Sequence, residues 1–166
     1  MGRTLSEVAK LTGAKPRSVQ LWADAGIIRP AKGTDRAGTG VHRRFSTEEV
    51  RLIALLVPLA KWGVPIGWLR YFTSEFRRAL AGGGRDRARR KTTREQLARA
   101  LSRATEGKGK NYLLFMHHVK SLWFAVITDE EGPSSVNLTR CFAAPLSTSS
   151  MMGVLDLNAS LRGLSE

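Results

Sequence analysis

Cysteine is almost missing from this chain. Cys141 stands alone among 166 residues, so no internal disulfide can form and no cluster of thiolates can hold a metal. That usage fits a reducing cytoplasm. Long apolar runs are missing too: the longest, Leu52 to Ala60, is too short to cross a bilayer, and the first residues lack the apolar core of a signal peptide. The expectation is a cytoplasmic protein with no membrane segment. Signals of enzyme chemistry are equally scarce. Gly82 to Gly84 is not followed by the Lys-Ser or Lys-Thr of a phosphate-binding loop, and no motif frames a nucleophile. His117 and His118 are adjacent, so on a strand they point to opposite faces and cannot grip one ion together. We expect no catalytic residues, no metal, no cofactor and no enzyme activity.

Acidic residues are the other deficit. The chain holds 14 Asp and Glu against 27 Lys and Arg, a net charge of +13. Residues 1–80 carry 14 basic against 6 acidic residues and residues 81–110 carry 10 against 3, whereas residues 111–166 carry 3 against 5. The cationic field therefore belongs to the first 110 residues, as expected if a polyanion is bound there and the remainder does something else. A membrane surface is the weaker choice of polyanion, because no basic segment has a continuous apolar face beyond what a helical core needs. Otherwise the composition is that of a globular protein, 42% hydrophobic and 25% charged.

The most informative stretch is Leu5 to Phe45. Thr4 followed by Glu7 is a capping-box start, and Leu5, Val8, Ala9 and Leu11 form an apolar stripe that stops at Gly13. Pro16 suits the first turn of a second helix with Val19, Trp22 and Ala23 inward and Gly26 as its stop. Its outward side offers Lys15, Arg17, Ser18 and Gln20, cations and an amide near a helix N-terminus. Two helices joined by a short turn, the second so decorated, match the helix-turn-helix in which that end meets base edges in the major groove. A basic, Gly-rich segment follows, with Arg29, Lys32, Arg36, Gly33, Gly38 and Gly40, and closes in Val41, His42, Arg43, Arg44 and Phe45. It predicts a small hairpin whose tip reaches a phosphate backbone.

These features together resemble the MerR family of winged helix-turn-helix regulators. The likeness lies in Ala9, Leu11 and Gly13, the Pro16-Arg17 helix start, the Gly26-Ile27-Ile28-Arg29-Pro30 exit and the Arg43-Arg44-Phe45-Ser46 wing end. The segment EEVRLIALLVPLAKWGVPIGWLRYF is similar to that family's third and fourth helices, and the resemblance spans about Leu5 to Leu80. It implies duplex DNA as the partner, with Lys15, Arg17, Ser18, Gln20, Arg29, Lys32, Arg36, His42, Arg43 and Arg44 as candidate contacts, and RNA polymerase as a further partner. One departure concerns the recognition helix, where the family carries an Arg followed by a pair of aromatic residues. This chain has Gln20, Leu21 and Trp22.

Beyond the wing, Thr47 opens a third helix that should be nearly surrounded and kinked about Pro58, and Pro65 starts a fourth, with Trp62, Trp68 and Phe72 read as core. Residues 81–91 combine three glycines with a cationic run and read as a hinge without packed structure. A short helix follows from Thr92 or Thr93 to Thr105, with Leu97, Ala98 and Leu101 as its stripe. It is too short for the antiparallel coiled coil through which the family dimerises. Tyr112–Val119, Leu122–Thr128, Val136–Ala143 and Met151–Leu157 read as strands of an antiparallel sheet, and Asn158 as the cap of a last helical turn.

The expected fold class is therefore α+β. A winged helix-turn-helix of four helices and a wing hairpin fills residues 1–81, a basic linker 82–92, and a short helix with a small antiparallel sheet 93–166. Tyr112, Leu114 and Met116 on one face of a strand, with Leu113 and Phe115 on the other, leave it no polar side, which points to a homodimer through this region or to a ligand. The leading function is a DNA-binding transcription regulator. A DNA-bending recombination accessory protein, such as an excisionase, and a protein-interaction module are the alternatives.

Overall fold

The computed structural model describes residues 2–34, 42–81, 87–118, 121–129 and 151–164. The chain divides into two compact units, Met1–Ser74 with Ser160–Glu166, and Glu75–Ala159. The division falls inside a helix, eight residues before the glycine triplet begins.

In the first unit, α1 (Leu5–Thr12) starts at the expected capping box. The Thr4 backbone N–H donates to Glu7 Oε2 at 2.7 Å, and the Glu7 N–H donates back to Thr4 Oγ1 at 3.4 Å. Side chains thus meet donors that a helix start leaves without partners. Gly13, at φ 67°, turns the chain out of α1 in the left-handed conformation. α2 (Pro16–Asp24) buries Val19 and Trp22 against α1, and after Ala25 and Gly26 the N–H groups of Ile27 and Ile28 both donate to Trp22 O. Those two isoleucines are fully buried and seal the base of the hairpin.

The strand that closes the wing finds a partner the sequence reading did not anticipate. β1 (Arg3–Thr4) pairs antiparallel with β2 (Arg44–Phe45), Arg3 opposite Phe45 and Thr4 opposite Arg44. On the other side of the wing the Ala31 N–H donates to Arg44 O at 2.7 Å and Thr34 Oγ1 accepts from the Arg44 N–H at 3.2 Å. Pro30 has no N–H to give, and the chain turns at once through Ala31–Thr34, so no second wing strand forms among the described residues. The wing tip lies outside them.

α3 (Thr47–Lys61) is capped by Ser46 Oγ, which accepts from Glu49 N–H, and it carries Glu48 and Glu49 in its first turn where the helix dipole favours them. Eight of its residues are buried, from Val50 to Leu59, as expected of a helix surrounded by others, and Pro58 lies within it. α4 (Ile66–Leu80) follows Gly63, burying Leu69, Phe72 and Phe76, with Trp68 stacked on Phe72 at 5.7 Å. Trp62 corrects the sequence reading: it is 59% exposed, at the last turn of α3 beside the exposed Ile66, and is not core.

In the second unit α5 (Arg87–Thr105) is longer than expected. Residues 87–92 had been assigned to a structureless linker; they are helical, because Ala, Arg and Lys are strong helix formers and only the glycines before them break the pattern. The buried stripe is Leu97, Ala100, Leu101 and Ala104, with Ala98 exposed. It packs on a three-stranded antiparallel sheet of order β4-β3-β5: β3 (Asn111–His118), β4 (Ser121–Thr128) and β5 (Met151–Asp156). The strand expected at 136–143 lies outside the described residues.

Residues opposite one another share a sheet face. On one face Phe124, Phe115 and Gly153 form a row beside Val126, Leu113 and Leu155, and Phe76 meets Phe124 edge-on with ring centroids 5.6 Å apart. The Phe115 ring occupies the space that a side chain at Gly153 would need. Leu114, on the opposite face, is buried as well. Among the described residues of this sheet, Tyr112 together with Leu122 and residues 124–128 of β4 are half-buried and Val154 is exposed.

α6 (Leu157–Leu161) is capped by Asp156, whose Oδ1 accepts from Ala159 N–H at 2.9 Å, and not by Asn158. Asn158 has other work: its Oδ1 accepts from Asn111 N at 2.8 Å and its Nδ2 donates to Gly109 O at 2.8 Å. Gly109 is required there, being at φ 62° and pressed against Arg103 and Asp129, which pair at 3.2 Å.

Candidate nucleic-acid interface

Burial of Val19 and Trp22 fixes which side of α2 faces outward. Arg17, Gln20, Leu21 and Asp24 then stand at steps of three and four on one exposed stripe, and Lys15 projects at the N-terminus. The cap position carries no side-chain hydrogen bond; Ser18 N–H donates to Lys15 O at 2.9 Å, and Ser18 itself is half-buried. Lys15 at the cap and Arg17 at the second helical position make this end of α2 attractive to anions.

The wing contributes unevenly. Arg29 and Lys32 are exposed, and the Arg29 backbone is held by Glu49 Oε2 at 2.9 Å. His42 is exposed. Arg36 lies outside the described residues. Arg43, expected to reach phosphate, turns back onto α2: its Nη1 lies 2.6 Å from Asp24 Oδ1, and its side chain is 16% exposed against 53% for Asp24. Arg44 is exposed, with Nη1 donating to Gly2 O at 3.0 Å. One residue thus ties the wing base to α2 and the next ties it to the N-terminus.

Sequence reasoning missed two members of this surface. Asp24 gave no signal, because an acidic residue at a helix end reads as solvated. Leu21 was noted only as a departure from a family pattern, and the position of the stripe reveals that it is outward. Near the interface, the backbone N–H of Thr4 first, and its hydroxyl second, hold the Glu7 carboxyl below the usual carboxylate range. No described helix is long and apolar enough to cross a membrane.

Two short packed helices joined by a three-residue turn, the second with Lys15 and Arg17 exposed at its start, and a basic segment after them, have the arrangement of a helix-turn-helix. Residues 3–70 match the model of the MerR HTH family regulatory proteins, and this segment is similar to that family's helix-turn-helix domain. None of the curated proteins compared matches the chain.

Proposed function

We propose that the chain is a sequence-specific transcription regulator that binds duplex DNA with α2 in the major groove. In this reading Arg17 and Gln20 contact base edges, and Lys15, Ser18, Arg29, Lys32, Arg36, His42 and Arg44 lie along the phosphates, with Arg43 holding the wing against α2. The observation that carries it is the exposed Arg17 and Gln20 stripe, set by the buried Val19 and Trp22, within the MerR-type segment. The first 110 residues supply the cationic field. No catalysis is part of the proposal. A homodimer is, since a two-fold protein presents two recognition helices to a pseudo-palindromic site; RNA polymerase is the partner that regulation at a promoter requires.

Footprinting of the full chain on genomic fragments tests this. Protected promoter sites are expected. Protection confined to recombination attachment sites would favour a DNA-bending accessory protein, and no protection at all would favour a protein-interaction module.

A further inference from the structure

We infer that Leu21 is a specificity residue that reads the methyl group of a thymine, an inference that rests on the DNA-binding reading above. Leu21 is 46% exposed, and it sits near the middle of the outward stripe of α2 with Arg17 one turn before it and Gln20 and Asp24 on either side. Helical side chains lean toward the N-terminus, so the leucine covers the turn that carries Arg17, the end of the helix that enters a groove.

An exposed leucine alone means little, because soluble proteins scatter them. Its surroundings give this one meaning. Beyond Pro16 in the first turn, the other exposed side chains of α2, Arg17, Gln20 and Asp24, are charged or carry an amide, and Val19 and Trp22 already anchor the helix on its inner side. The leucine is not among the buried core residues, and it lies among the groups placed to meet base edges. Those edges offer hydrogen-bond donors and acceptors, which leucine cannot use, and a single apolar group in the major groove, the C5 methyl of thymine. Gln20, the neighbouring position, is the residue type that pairs with adenine. The site recognised by this face should hold a thymine near the base that Arg17 contacts.

The test uses the full chain throughout. Duplexes are first enriched from a random pool by binding to the wild-type protein, and each thymine of the enriched site is then replaced by uracil, which removes the methyl and keeps every polar group. We expect one thymine per recognition helix at which uracil weakens wild-type binding about fourfold, what one methyl-sized group of apolar burial is worth. The Leu21→Ala protein should bind the two duplexes equally, and Leu21→Met should keep the difference. The inference is overturned if no thymine methyl matters to the wild type, or if Leu21→Ala retains the full methyl effect. A pool in which nothing is enriched would sink the DNA-binding reading itself, and this inference with it.

Discussion

Arg43 shows how a residue legible as basic in sequence can be committed elsewhere in the fold. Its guanidinium lies on Asp24, with most of its side chain covered, so part of the charge that sequence assigns to the phosphate contact serves to hold wing and helix together. We predict that a double-mutant cycle on Arg43→Ala and Asp24→Ala, read by denaturant unfolding, gives a coupling of about 0.5–1 kcal/mol, at the upper end for a pair with one exposed partner. Additive effects would mean that the pair contributes nothing. Arg44, exposed and with its Nη1 on the Gly2 backbone oxygen, is the wing residue we propose for a phosphate contact. Replacing it with Ala should flatten the dependence of log affinity on log salt by about 0.9, the value of one contact, on every duplex alike. The identities of Arg17 and Gln20 as outward residues could be read from helical spacing. The Arg43–Asp24 pair could not, because it joins positions nineteen residues apart.

Elements were legible where their signals are local. The capping box at Thr4, the Pro16 start and the apolar wall of α3 all involve residues within one or two turns, and each appears where the spacing puts it. The pairing of β1 with β2 joins the third residue of the chain to the forty-fifth, and no local pattern carries it. The start of α5 failed for a different reason: a run of Arg and Ala is compatible with both a solvated linker and a helix, and the glycines beside it tipped the reading the wrong way. Two predictions belong to this scale. Because hydrogen bonds from Thr4 depress the Glu7 carboxyl, its stabilising effect is present above the usual carboxylate range and is lost as pH falls through the lowered value. Glu7→Gln, which can still close the box, should remove this acid-side loss of stability, as followed by circular dichroism across pH; an unaltered acid limb would exclude Glu7 as a contributor. In the sheet, Gly153→Ala would push into the Phe115 ring, and overpacking there should cost about 1–3 kcal/mol in thermal or denaturant unfolding.

For the whole molecule, charge and apolar surface separate along the chain, cationic through residue 110 and near neutral after it. The second unit carries its own core of α5 on the sheet, with Leu113, Leu114 and Phe115 of β3 buried. A homodimer through this unit would therefore use the remaining apolar surface, where Val154 is 47% exposed. Light scattering on the full chain should give twice the monomer mass, and a monomer would leave the two-fold site unsupported. The central claim, that this is a sequence-reading DNA-binding protein, is tested most directly by Arg17→Ala titrated on a duplex enriched by the wild type and on random duplex. Losing one bidentate base contact should weaken binding to the enriched duplex by about 1–3 kcal/mol and to the random duplex far less. Equal weakening on both, or a wild-type protein with no preference between them, would contradict it.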